Sequence, residues 1–380
     1  MEIKRNEFNK LAEHSEKYCI TIYISTIRKD FKKRDKNILM FKNYAKKIRQ
    51  QLTDMGASSK EADQYQEQIY NLQSDKNIQN NISRGLAIFI TKNYYRYYLL
   101  PFTVKNFVYV SDHFYLLSLI PYLENDYNYY VLSLSLNSSR FFICTTSDIN
   151  EIHIPDYVYK NIKEVEGARD KEKNLQFRSS GRKALYHGHG AGKDEKEEIV
   201  NMYLRSIDSF SKNIITGKPA PLIIYSVDYL FHMYQEVTNN QYLIDKNIKG
   251  NPEFTDINTI HEMANEIISE HKRKRKEKKI KRYYSLFHSI RNVSKDIDQI
   301  VPAAYNKRIK AMLIAKDYKI WGGFDEKNNR TIRKQGINDD AMELVNYAAV
   351  NTLLNGGEVY MINKEYKNKD ESPVNAVFRY

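Results

Sequence analysis

The residues whose types and spacing could do chemistry lie in residues 177–193. Four of the fourteen glycines fall there, Gly181, Gly188, Gly190 and Gly192. Two imidazoles, His187 and His189, and four cations, Arg178, Arg182, Lys183 and Lys193, share the segment. Glycine lets a backbone approach a partner closely. Cations neutralise phosphates, and imidazoles stack on or hydrogen-bond to bases. The chemistry expected is therefore RNA contact, with Ser179, Ser180 and the four glycines supplying loop backbone. Two other chemistries fail on spacing. His187 and His189 could be half of a zinc site, but no further ligand is fixed nearby, so no metal is expected. Residues 190–194 depart from the phosphate-loop pattern, because Asp194 stands where Ser or Thr is needed. No GxSxG, HExxH or paired-carboxylate motif occurs, so no catalytic residue and no cofactor is assigned. The plain alternative is a surface excursion without a role.

Something firm must hold this segment. Asp194 to Glu198 reads as the acidic first turn of a helix, with Ile199, Tyr203, Ile207 and Phe210 at helical spacing. Before the segment, residues 129–136 alternate, 137–139 turn, 140–145 return and 149–154 continue as a third strand, followed by a charged connection. After it, residues 221–227 form a continuous apolar strand. Helices are expected from about Asp228 and from Asn258. The second runs into residues 272–282, nine of whose eleven positions are basic. On a helix these charges point all round. Lys272, Arg273, Lys274 and Arg275 are the phosphate contacts expected there.

On the N-terminal side the pattern gives helices over 2–15, 36–55 and 58–80, the last capped by Ser58-Ser59-Lys60-Glu61. Strands are expected over 18–25, 86–90, 94–100 and 107–110, then a helix over 114–123. The run Tyr94-Tyr95-Arg96-Tyr97-Tyr98 reads as alternation on a half-buried strand rather than as a stacking platform. The last section gives helices over 298–306 and 341–354, a Gly356-Gly357 C-cap, and strands over 311–315, 319–324, 358–363 and 374–378. The whole is an α/β (α+β) chain of three mixed α/β domains, 1–126, 127–293 and 294–380.

Bulk properties bound the partner. The 380 residues carry a net charge of +13, which favours a polyanion. Abundant Lys, Asn, Ile and Tyr also suggests an AT-rich coding source, which halves the weight of that charge. Cys19 and Cys144 lie in apolar strand-like runs and read as buried free thiols. Residues 1–7 have no apolar signal-peptide region, and no apolar run reaches membrane-spanning length. A cytoplasmic monomer without membrane contact is expected.

In order along the chain these pieces resemble one family. Ser111-Asp112-His113-Phe114 with residues 119–123 looks like the end of the N-terminal domain of archaeo-eukaryotic class I peptide release factors and their Pelota relatives. Residues 130–136 with Arg140-Phe141-Phe142 look like the hairpin that opens their middle domain. Residues 177–208 look like its loop and following helix, and 222–226 like the next strand. Residues 302–315 and 348–357 resemble the third domain. The bacterial branch of this superfamily is the nearest pattern, with HGHG and GK in the loop and a terminal strand like 376–380. The resemblance implies an RNase H-like middle domain, a C-terminal domain like ribosomal protein L7Ae, and the ribosome and its rRNA as partners. It leaves room for a translational GTPase as escort. Release factors place a water with a Gly-Gly-Gln tripeptide, which occurs nowhere here; Ser179-Ser180-Gly181-Arg182 stands roughly in its place. The codon-reading Asn-Ile-Lys-Ser element, due near Asp35-Lys36-Asn37-Ile38, is absent as well. The expectation is a non-hydrolytic rescue or hibernation-type factor binding rRNA at or near the A site. The alternatives are a divergent peptidyl-tRNA hydrolase with His187 or His189 as general base, and a non-ribosomal RNA- or protein-binding module.

Overall fold

A computed structural model describes residues 5–25, 34–73, 84–125, 128–180, 191–289, 292–334, 341–362 and 372–380. The chain forms two compact units, Met1–Glu124 with Lys279–Tyr380, and Asn125–Lys278. The architecture is mixed α/β, with several sheets.

The first unit opens with α1 (Arg5–Ala12), β1 (Ser15–Ser25), α2 (Arg34–Asp54), α3 (Ser59–Gln73), β2 (Gly85–Ile90), β3 (Tyr95–Leu100) and β4 (Phe107–His113). Its sheet is antiparallel in the order β3-β2-β1-β4. Strand β1 is buried on both faces, which is why it reads as one apolar run. Ile20, Ile22 and Ile24 meet Phe41 and Ile48 of α2 and Tyr65 of α3. Cys19 and Tyr23 face the other way, into the core of Phe8 and Leu11. Ser58 caps α3, its Oγ accepting from the Glu61 N–H at 3.3 Å. The tyrosine-rich strand is half-buried as expected but does not alternate cleanly: Tyr95 and Arg96 are both exposed, whereas Tyr98 is buried and donates to Glu7 at 2.8 Å. Both cysteines are buried and free, and burial pushes each thiol up to about 12.

The middle unit contains β5 (Tyr129–Leu134), β6 (Ser139–Cys144), β7 (Ile149–Ile152), α4 (Ile162–Ser180), α5 (Ala191–Gly217), β8 (Leu222–Ser226), α6 (Asp228–Val237), β9 (Ile248–Lys249) and the part of α7 (Ile257–Ser289) up to Lys278. Its five-stranded sheet runs β7-β6-β5-β8-β9, antiparallel among the first three and parallel across β5, β8 and β9. Every residue of β5 and β8 is buried. Tyr130, Leu132, Leu222 and Ile224 pack with Tyr203, Ile207 and Tyr234 of α5 and α6. Val131, Ile223 and Tyr225 pack with Ile260, Ala264 and Ile268 of α7.

The first unit is completed by β10 (Val293–Ser294), α8 (Ile297–Tyr305), β11 (Ile309–Ala315), β12 (Trp321–Asp325), β13 (Arg330–Arg333), β14 (Met342–Glu343), α9 (Leu344–Leu354), β15 (Glu358–Ile362) and β16 (Val374–Phe378). These make sheets in the orders β10-β16-β11-β15 and β13-β12-β14. Helix α9 ends as expected, with Gly356 at a φ of +74°.

Two helical expectations need correction. Residues 114–123 form no α-helix; a 3-10 turn spans Leu117–Asn125. The carbonyls that a helix would use are taken by distant side chains: Phe114 O accepts from Asn346 Nδ2 at 3.1 Å and Tyr115 O from Tyr23 Oη at 2.8 Å. Tyr115 N–H donates to Thr21 Oγ1 at 3.0 Å, and Leu116 and Leu117 N–H donate to Asn346 Oδ1 at 2.7 and 2.9 Å. Helix α9 starts at Leu344 instead of at residue 341, because Glu343 caps it. The Glu343 carboxylate accepts from Val345, Asn346 and Ile320 N–H at 3.2, 2.6 and 2.8 Å.

Glu343 is fully buried, and burial raises its carboxyl from the ordinary 4.5 to about 7 against the pull of those three donors. Lys319 lies over the Phe107 ring at 3.1 Å and is itself pulled down to about 8 by burial. A raised carboxyl binds its proton more tightly folded than unfolded, so its stabilisation is full below pH 4.5 and lost as pH climbs to about 7. Glu343→Gln should therefore gain stability relative to the parent across that window, by roughly 3 kcal/mol. Thermal unfolding of both proteins at a series of pH values checks this; parallel curves would contradict it.

Candidate nucleic-acid interface

The segment expected as one loop is helical at both ends. Helix α4 continues through Arg178, Ser179 and Ser180, and α5 begins at Ala191 and so includes Gly192 and Lys193. Gly181, Arg182, Lys183, His187, Gly188, His189 and Gly190 lie outside the described residues, as do the side chains of 172–193. The charged connection expected before the loop is α4 itself. A signal for it was present in Asn161 and Glu164. Asn161 Oδ1 accepts from Glu164 N–H at 3.1 Å, while Glu164 accepts from Lys160 N–H at 2.8 Å, a reciprocal cap at the helix start.

Helices α4 and α5 are rooted at the carboxyl end of β5. Ile162 N–H donates to Leu136 O at 2.9 Å. Tyr203 Oη donates to Ser135 O at 2.7 Å, and Tyr159 N–H donates to Ser206 Oγ at 3.1 Å. One turn further along α5, buried Asp208 accepts from Tyr234 at 2.8 Å and from Thr238 at 2.6 Å. Above that root, burial fades. Tyr203, Leu204 and Ile207 are buried, Ile199 and Val200 are half-buried, and 194–198 are exposed. On α4, Val165 is buried and Asp170 and Lys171 are exposed. Arg169 and Glu198 tie the two helices together at 3.0 Å. At 1.5 Å per residue, α5 runs about 18 Å from Tyr203 back to its start. The pair is thus a helical arm standing off the sheet, and the glycine-histidine segment joins its two outer ends.

The second expected cluster lies on α7. Lys272 is half-buried, and Arg273, Lys274 and Arg275 are exposed. The charges are partly neutralised: Lys274 pairs with Glu270 at 2.8 Å, and Glu270 also holds Lys246 at 2.6 Å. These two lysines draw the Glu270 carboxyl down to about 2. Arg273 and Lys278 are exposed and form no ion pair among the described residues. Among the described residues no helix is long and apolar enough to cross a membrane.

Tyr203→Phe should test the rooting of the arm. It leaves the Ser135 carbonyl buried without its donor, at a cost of about 1–3 kcal/mol. A fall in melting temperature, with faster amide exchange along α5, is the expected result; unchanged exchange would show that the contact does not hold the arm.

Residues 129–270 match the family model described as Bacterial archaeo-eukaryotic release factor family 7. The match covers the middle sheet and the whole arm, and ends two residues before the basic run. No curated protein matches the chain. Among solved structures, the archaeal translation termination factor aRF1 is 10% identical, with a TM-score of 0.23 over 100% of this chain and 99% of that one. Pelota from Archaeoglobus fulgidus is 12% identical, with a TM-score of 0.32 over 75% of this chain and 76% of that one. Dom34 from S. cerevisiae, a translation termination-like factor interacting with Hbs1, is 10% identical, with a TM-score of 0.31 over 80% of this chain and 76% of that one.

Proposed function

We propose that the chain is a ribosome-associated, release-factor-like protein that occupies the A site or its surroundings without hydrolysing peptidyl-tRNA. The observation that carries this reading is the family match over residues 129–270, which coincides with the arm-bearing unit, in a sequence without Gly-Gly-Gln. A release factor needs a tripeptide to position water. A factor that only binds needs the arm, its cations and a backbone able to come close. Arg178, Arg182, Lys183, His187, His189 and Lys193 would contact rRNA, with Ser179, Ser180, Gly181, Gly188, Gly190 and Gly192 supplying close backbone. Lys272, Arg273, Lys274 and Arg275 would add unspecific phosphate contacts.

The rest of the reading follows the family. The family's three domains would fall on 1–126, 127–293 and 294–380, the last L7Ae-like, with Met1–Glu124 and Lys279–Tyr380 gathered into one compact unit. It would act in the cytoplasm as a monomer, with room for a translational GTPase as escort. Its setting is ribosome rescue or hibernation.

Co-sedimentation with ribosomes tests the binding. The protein should pellet at about 50 mM salt and largely leave the ribosome by about 200–300 mM, since each phosphate contact adds to the salt slope. Arg178→Gln, Arg182→Gln and Lys183→Gln together should weaken pelleting at least tenfold. Stalled ribosome complexes should keep their nascent peptide on addition of the protein. Freed peptide would move the assignment to the hydrolase, and no pelleting at low salt would remove the ribosome from it.

A further inference from the structure

Away from the arm, the first unit carries an open cavity of about 310 Å³ between α1 and β3, lined by Glu7, Lys10, Glu13, His14, Tyr94 and Arg96. Small-molecule sites run from about 300 to 1,000 Å³. One wall is the helix. Glu7, Lys10 and His14 recur at three- and four-residue spacing. Glu13 and His14 prolong the last turn, their N–H groups donating to Asn9 O and Leu11 O at 3.0 and 3.4 Å. The other wall is β3 with the residue before it, where Tyr94 and Tyr98 face the same core. The walls meet at both ends. Tyr98 Oη donates to Glu7 Oε2 at 2.8 Å, and the His14 ring lies 4.1 Å from the Tyr94 ring. Lys10 and Arg96 fall between these two contacts, one on each wall. Both walls are fixed from behind. Phe8 and Leu11 are buried, His14 also packs on buried Phe114 at 5.6 Å, and Tyr94 O accepts from Thr91 N–H at 2.8 Å.

The charges around this cavity are unequally engaged. The Tyr98 hydroxyl, then Lys10 at 3.4 Å and Arg96, hold the Glu7 carboxyl below its usual range. Glu13 and Arg96, by contrast, form no ion pair among the described residues. The cavity therefore offers one unmatched charge of each sign. A plain anion is repelled by Glu13, and a plain cation by Lys10 and Arg96. A zwitterion meets both signs at once, with its carboxylate on Arg96 and Lys10 and its ammonium on Glu13. From Lys10 to Glu13 the helix rises about 4.5 Å. That suits the short separation of the two charges in an α-amino acid. At the same end of the helix, the packed rings of His14 and Tyr94 supply an aromatic wall on which a flat side chain can stack.

We propose that this cavity binds a free α-amino acid with a flat side chain, Arg96 and Lys10 holding its carboxylate and Glu13 its ammonium. The site is separate from the cationic arm, and its test uses no ribosome. The probe is L-tryptophan, titrated calorimetrically into the full chain at about 150 mM salt. It should bind with a Kd below about 1 mM. Three analogues each lack one feature: tryptamine the carboxylate, indole-3-propionate the ammonium and alanine the ring. Each should bind at least about tenfold more weakly. Glu13→Gln and Arg96→Gln should each weaken tryptophan by a similar factor. Both side chains are exposed, and an unaltered melting curve confirms that the fold is kept. Tryptophan that fails to bind at about 1 mM would overturn the proposal. So would tryptophan binding that survives both substitutions. An analogue that binds as tightly as tryptophan would overturn it too, by reducing the site to a simple anion, cation or backbone contact.

Discussion

The hydrogen bond from Tyr203 to the Ser135 carbonyl, at 2.7 Å, marks the point on which the middle unit turns. Below it, α5 is a core helix: its apolar side chains fill one face of a sheet whose central strands have no exposed residue. Above it, the same helix leaves the core and, paired with α4, becomes an arm. A sheet buried on both faces cannot shift its register without exposing a full set of side chains. The arm's base is therefore fixed by the same packing that makes the unit stable, while its outer turns are free to be polar. Rigid support below and charged, glycine-bearing sequence above is the division of labour that a probe of folded RNA requires.

Charge is distributed to match. Residues 177–193 and the stretch from Lys272 to Arg275 are rich in cations, and Lys274 is partly neutralised by Glu270. The first unit obeys a different rule. There the side chains of Asn346 and Glu343 take up backbone groups of residues 114–117 and of Ile320, so residues distant in sequence satisfy one another within one core.

Much of this was legible in the sequence, and the failures have physical causes. Strands β1 and β8 read correctly because burial on both faces leaves an unbroken apolar run. Strand β5 is in the expected place, but the alternation that marked it is not kept, since all its residues are buried. The C-cap at Gly356 and the cap at Ser58 read correctly because their chemistry is local. Residues 114–117 misread because Asn346 and Tyr23 take up the Phe114 and Tyr115 carbonyls that a helix would use, and nothing nearby in sequence announces it. The two-residue strands β9, β10 and β14 carry too few residues for any periodicity. Helix α4 was missed through its charge, although Asn161 and Glu164 already spelled its start. For the candidate site, the loop was drawn too long at both ends, since Arg178 to Ser180 and Ala191 to Lys193 continue the flanking helices.

The family match reaches across the arm, in a sequence that carries no Gly-Gly-Gln. The most direct test is to place a photo-crosslinking residue at position 186, between the two helices, and irradiate the protein in a translating extract. Crosslinks to rRNA of the large subunit, near the site where peptidyl-tRNA is held, are the predicted result. Crosslinks to protein alone, or to RNA outside the ribosome, would contradict it.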